Sequence, residues 1–309
     1  MANITAALVK ELRAKSGAGM MDCKKALAAS DSDLESAVDW LRTKGLSAAA
    51  KKSSRVAAEG LVGVVIDGNK GALLEVNAET DFVARNEIFQ GFVEAATKLS
   101  LSTGGDLETL KSINMSGEGR NVADQITHLT ATIGENIQLR RSAELSVETG
   151  IVASYMHSAV KPNIGKIGVL VALESDGDSR QLLEFGKQVA MHIAASSPRF
   201  LSIDDVDADT QLRERQVLTD QAKESGRSEE VIGKMVDGRM RKFFEEVVLL
   251  EQGYVISEDK VKVSKIIESK GKELGSAIKI TGFSRFVLGE GIEREAKDFA
   301  AEVAEAVGV

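Results

Sequence analysis

Apolar residues recur at helical spacing over the first 45 positions. Ile4, Leu8 and Leu12 share one face, and Gly17 and Gly19 interrupt the run. Asp22 is placed to cap a second helix running through Leu27. Asp33 is placed to start a third, DLESAVDWLRTK, which Gly45 ends. Leu34, Val38 and Leu41 give this third helix its apolar stripe, with Trp40 beside it. Helices this short do not persist alone, so they are expected to pack as a small bundle. The SAAAKKSSRVAAEG stretch that follows is small, polar and basic, and reads as a linker.

Beyond it the pattern occurs twice. Residues 60–99 and 150–196 each offer a Gly, a β-branched strand, a turn and a second strand beginning at Gly71 or Gly168. An acidic connection and an amphipathic helix then follow. DGNK suits a hairpin turn, because Gly tolerates positive φ. The match is loose and defines a structural pseudo-repeat: two α+β halves of one core, with IQLRRSAELSVE (137–148) as an additional strand joining them.

After Pro198 the pattern becomes helical. Residues 207–225 and 228–248 flank the turn ESGRS. On the second stretch Ile232, Val236, Met240, Phe243 and Val247 recur at steps of three or four, a stripe suited to one partner helix. This predicts a projecting antiparallel hairpin inserted in the second half. A helix near 260–274, a strand AIKITGFSRFVL and a final helix from Ile292 to Val307 complete the chain.

Composition narrows the function. With 43% hydrophobic and 28% charged residues in 309, the chain has the makeup of a soluble globular protein of several modules. A net charge of -8 argues against general attraction to nucleic acid or anionic membrane, and 4% aromatics against base stacking. The charge is uneven: residues 1–55 carry 10 Lys/Arg against 6 Asp/Glu, the remainder 29 against 41. The single Cys23 cannot form an internal disulfide, which fits a reducing compartment. No apolar run has membrane-span length, and MANITAALVKEL lacks the basic-then-apolar order of a signal peptide. A cytoplasmic protein is expected.

Most catalytic signatures fail. GAGMMD (17–22) lacks the ending of a phosphate loop, and GEGIER (289–294) fails the dinucleotide fingerprint. His128, His157 and His192 lie on separate elements, and one Cys cannot complete a zinc set, so no metal or cofactor is expected. Acidic pairs such as Asp204-Asp205 and Glu245-Glu246 read as solvated faces or caps, and no nucleophile has a base and orienter at readable spacing.

Two stretches remain. In GAGMMDCKKAL, Met20 and Met21 cannot both face one small bundle's interior. Exposed Met is an adaptable anchor for a partner groove, and Lys24 and Lys25 place charge beside it. The alternative has Met21 in the core and only Met20 outside. In NAETDFVARN, strand ALLEVNA ends, a helix is expected from about Val83, and Thr80 or Asp81 is placed to cap it. Phe82 then either folds back onto its own helix or stands out for a partner to receive.

The chain resembles the bacterial elongation factor Ts family, guanine nucleotide exchange factors for elongation factor Tu, over nearly its full length. The matching landmarks include ITAALVKELRAKSGAGMMDCKKAL, EVNAETDFVARN, IGENIQLRR, SYMH, IGVLVAL, HIAASSP, GRMRKFFEEVVLLEQ and RFVLGEGIEREAKDFAAEVA, with TDFV the most specific. The resemblance implies an α+β fold with four parts. These are a ubiquitin-associated-like three-helix head (1–55), a core of two pseudo-repeated α+β subdomains (56–149 and 150–288), an inserted hairpin at about 207–248 and a C-terminal helical module (289–309). It implies a non-enzymatic factor that binds GDP-bound and nucleotide-free Tu, with Thr80, Asp81, Phe82 and Val83 dislodging the partner's Mg²⁺. It further implies contacts from Met20, Met21, Lys24 and His157, and from Met235 and Val236 on the hairpin, which leaves room for a higher assembly with Tu. Two departures stand out: the connection SAVKPNIGKIG after His157 is longer than the family's tighter form, and Ala78 stands where many relatives carry Cys. A small-molecule enzyme with a site between the core halves, and a docking adaptor without exchange activity, are the rival readings.

Overall fold

The computed structural model describes residues 4–293. Its helices and sheets are mixed along the chain. The predicted last helix, Ile292 to Val307, falls almost wholly outside the described residues.

The amino-terminal bundle comprises α1 (Ala6–Ser16), α2 (Met20–Ala29) and α3 (Leu34–Lys52). Thr5 caps α1 by accepting from the Leu8 N–H, and Asp33 caps α3 by accepting from the Ser36 N–H. Leu12, Cys23, Ala26, Leu27 and Ala37 form its core. Two expectations are corrected. Asp22 does not cap α2 but lies inside its first turn, where the cap position belongs to Gly19. Gly45 does not end α3, and the expected linker is helical through Lys52. The reason is tertiary: Gly45 packs against Ala131 so closely that an added Cβ would lie 3.3 Å from that methyl group. The contact offsets the cost of about 1 kcal/mol that Gly imposes inside a helix.

The first sheet is built from β1 (Glu59–Asp67), β2 (Lys70–Ala78), β5 (Gln138–Ser146) and β7 (Ile164–Gly165), in the order β5-β2-β1-β7, antiparallel throughout. The β1–β2 hairpin closes through Gly68-Asn69, with Gly68 at φ 58. Helices α4 (Glu87–Ser100), α5 (Leu107–Ser112) and α6 (Val122–Ile133) belong to the same half, with a small ribbon of β3 (Asn114–Met115) and β4 (Arg120–Asn121) preceding α6. The second sheet has the order β6-β8-β9, from β6 (Gly150–His157), β8 (Ile167–Glu174) and β9 (Lys279–Val287). Helices α7 (Ser179–Ser196) and α10 (Val263–Leu274) pack on its outer face. The pseudo-repeat is therefore two antiparallel strands followed by a helix, β1-β2-α4 and β6-β8-α7.

The two sheets pack face to face. Leu61 and Leu74 turn toward the helices of the first half, whereas Val62, Val64 and Leu73 meet Val152, Leu170, Ala172 and Phe286 of the second. Side chains alternate across a strand, so strands covered on both faces carry unbroken apolar runs such as IGVLVAL. Gly71 and Gly168 let the sheets approach: a Cβ on Gly71 would lie 2.8 Å from Val152, and one on Gly168 2.8 Å from Leu73. The space between the halves is filled.

The long connection after His157 has a structural role. Its Ile164 is fully buried in the first half's core, and β7 pairs with β1, so the second half reaches across and extends the first sheet. A buried carboxylate reinforces the join. Glu75 accepts from Arg140 Nη1 at 2.9 Å, Arg141 Nε at 2.6 Å and the Gly289 N–H at 2.8 Å. A bulge in the β2–β5 register leaves Arg140 without an opposite residue, so that two successive arginines serve one carboxylate. Burial pushes the Glu75 pKa up, but the Gly289 N–H and the two guanidinium groups outweigh it and hold it below its ordinary value.

From the second half, α8 (Ala208–Lys223) and α9 (Glu229–Val247) form the antiparallel hairpin. Ile232, Val236 and Met240 make its seam with Ala222, and Phe243 packs at the edge. At its base His192 is fully buried. Its Nδ1 accepts from the Val255 N–H at 3.2 Å, which places the proton on Nε2, 3.0 Å from the Gln252 side-chain oxygen. Burial lowers the His192 pKa from its ordinary 6.5, against a smaller opposing effect of Gln252. The unfolded chain therefore takes up a proton first as the pH falls through about 6.5, and stability falls with it until the folded form also protonates. The urea midpoint is expected to drop between about pH 7 and pH 5, before the carboxylates titrate, and the His192→Gln variant is expected to reduce that slope, leaving the share of His128, whose pKa burial also lowers. An unchanged slope in the variant contradicts the assignment.

Candidate partner-binding site

The NAETDFVARN stretch leaves β2 and turns into α4 through a single 3-10 turn, Val83–Arg85. The expected helix from Val83 is thus interrupted, because Asn86 caps the true helix by accepting from the Ile88 and Phe89 N–H groups. Neither Thr80 nor Asp81 serves as a cap. Thr80 donates twice to Glu135, from its N–H at 2.9 Å and from its hydroxyl at 2.7 Å. Glu79 reciprocates by accepting from the Asn136 N–H at 2.6 Å. The two segments exchange carboxylates across the gap between β2 and the loop after α6.

This exchange divides the tetrad. Thr80 is tied inward, and Val83 is buried with Ala84 in the first half's core. Phe82 points out, with 73% of its surface exposed. Asp81 is half-exposed and pairs with Arg85 at 3.3 Å. The Arg85 guanidinium also lies 5.9 Å from the centre of the Phe82 ring. Phe82 has not folded back into its own helix, since its ring is covered on one side only by an exposed arginine. The ring therefore stands outward at the surface of the chain.

The other candidates occupy separate elements. Met20 and Met21 open α2 and are both exposed, at 59% and 62%, so Met21 is not core. Lys24 is exposed one turn further along. His157 ends β6 at the surface, where its Nδ1 lies 3.1 Å from the Tyr155 hydroxyl. Met235 is half-buried on α9. Val236 is 3% exposed and belongs to the hairpin's own seam, so its side chain is not at the surface of this chain. Among the described residues no group of three or more His, Cys, Asp and Glu is arranged to hold a metal, and no helix is long and apolar enough to cross a membrane.

Sequence reasoning missed Glu135 and Asn136, the residues that hold the turn. IGENIQLRR contains both, but nothing local distinguishes Glu135 from any solvated acid, because its partner lies 55 residues away. Ile88, 60% exposed in the first turn of α4, was likewise not distinguished by the sequence, which placed the helix start near Val83.

Apolar side chains exposed on several elements, Met20, Met21 and Phe82 among them, are the kind of surface by which one protein binds another, and point to a binding protein as the class. Comparison with known sequences gives that class its family. The family model described as Elongation factor TS matches residues 79–290. The Elongation factor Ts of Rhodospirillum centenum is 62% identical over 308 residues, spanning all of both chains. That of Rhodospirillum rubrum is 61% identical over 98% of each chain, and that of Agrobacterium fabrum 54% over 98% of each. The chain belongs to the elongation factor Ts family, the translation factors that serve nucleotide exchange on elongation factor Tu.

The clamp gives a direct expectation. Replacing Glu135 with Ala leaves the Thr80 N–H without its acceptor, at a local cost of about 1–3 kcal/mol. Hydrogen exchange at the Thr80 amide should accelerate about tenfold or more, while Glu135→Gln, which keeps an acceptor, should stay near wild type. Equal protection in all three proteins would remove the clamp.

Proposed function

We propose that this factor binds elongation factor Tu carrying GDP and speeds nucleotide release by driving Phe82, with Asp81, into the region of the partner's Mg²⁺ and phosphate loop. The observation that carries this reading is the exposed Phe82 ring on a turn that hydrogen bonds hold rigid. An apolar side chain kept in water is available for transfer into a partner. Burying it contributes about 1.5–3 kcal/mol.

No bond need be made or broken. GDP is retained because a magnesium ion and backbone N–H groups neutralise its phosphates. A factor that binds the nucleotide-free partner more tightly weakens nucleotide by the same factor. Phe82 supplies differential contact if the gap that receives it opens only when the magnesium site is disturbed. An anchor worth about 2–4 kcal/mol then changes nucleotide affinity from tens- to several-hundred-fold. Asp81 brings a carboxylate, released from Arg85, to a site that had been organised around a cation. The cycle is reversible, since GTP binding to the emptied partner releases the factor by the same linkage.

Met20, Met21 and Lys24 on α2, and His157 at the end of β6, provide the remaining contacts. Met235 is retained as a contact from the hairpin's flank, whereas Val236 is not. Spreading contacts over the bundle, the first sheet and the second lets the factor stay attached while the Phe82 turn acts.

Phe82→Ala is expected to fold normally, to bind Tu still and to lose most of its acceleration of GDP release, by about tenfold or more. Labelled-GDP release from Tu at saturating factor measures this, and a wild-type rate would take Phe82 out of the mechanism. Binding without any acceleration by the unmutated chain would favour the adaptor reading instead.

A further inference from the structure

Resting on the reading of Phe82 just given, we propose that Ile88 is a second apolar anchor for the same partner. Ile88 sets the affinity of the complex, while Phe82 sets the rate at which nucleotide leaves. On α4 the apolar residues Phe89, Phe92, Val93 and Ala96 are buried in the first half's core. Ile88 is not among them and stands 60% exposed in the first turn. A β-branched residue there favours the helix less than Ala does, so local stability gives no reason for it.

Its position ties it to Phe82. The Asn86 N–H donates to the Val83 carbonyl at 2.9 Å, and the Asn86 side chain accepts from the Ile88 N–H at 2.9 Å. The turn carrying Phe82 and the helix start carrying Ile88 are one hydrogen-bonded unit, and a protein surface that receives the first is carried onto the second. Arg85, Asn86 and Glu87 between them are exposed, giving the polar rim that surrounds apolar anchors in protein interfaces.

The two anchors differ in what they read. Ile88 lies on a 14-residue helix docked on the sheet, and in this proposal its contact forms with the GDP-bound partner and persists in the emptied one. Such uniform binding changes affinity alone, whereas contact made only in the emptied state changes release.

The test is labelled-GDP release from elongation factor Tu over a range of factor concentrations, using the full chain. Ile88→Ala should raise the half-saturating concentration about tenfold and leave the plateau rate unchanged. Ile88→Leu, which keeps the apolar volume, should behave as wild type, and thermal midpoints of all variants should match. An unchanged half-saturating concentration for Ile88→Ala overturns the inference, as does a lowered plateau. A plateau that Phe82→Ala leaves intact overturns instead the reading beneath it.

Discussion

Three distant segments meet at one polar node, and the exposed turn depends on it. Glu79 accepts from the Asn136 N–H, and Glu135 accepts twice from Thr80. The Asn136 side chain donates to the Arg55 carbonyl at 2.7 Å, and Lys52 donates to the Gly134 carbonyl at 2.6 Å. The end of α3, the end of β2 and the loop after α6 are thereby joined. Partly buried backbone N–H groups left without partners would cost more than the bonds gain in isolation, so the node favours a single arrangement. Val83 and Ala84 add apolar burial on its far side. What remains outside is Phe82, held by its neighbours rather than by its own packing.

The node also bears on the proposed action of Phe82 on elongation factor Tu. Differential binding is effective only if the inserted group does not yield when it meets resistance. Behind the turn stands a layered core of helices, sheet, sheet and helices, closed by Glu75 with Arg140, Arg141 and the Gly289 backbone. Gly289 itself requires φ 71 and lies against the Ala58 backbone, so the chain after β9 is seated close to the start of β1. Interiors packed at this density transmit displacement instead of absorbing it.

Legibility followed range. Asp33 as a cap, the Gly68 turn and the Ile232–Val236–Met240 seam are all set by residues within a few positions of each other, and each could be read from the chain. Gly45 was misread as a stop because only Ala131, 86 residues on, explains how the helix continues through it. Val236 was legible twice, as seam and as contact, and only the α8 side chains opposite it decide for the seam. The TDFV resemblance singled out this turn without revealing what holds it.

The amino-acid sequence by itself determined the mixed helix-and-sheet class and the family, because periodicity and motif identity are local properties of a chain, whereas α5, α6, the β3–β4 ribbon and β7 were not read from it. Tertiary structure alone decided that the two sheets face each other, that Glu75 is an enclosed ion held by two arginines, and that Phe82 lies outside while Val83 lies inside. Burial is a relation between a side chain and whatever arrives opposite it. For Phe82 and Val83, adjacent and both apolar, no local rule separates the two, and the contacts that do come from residues far along the chain.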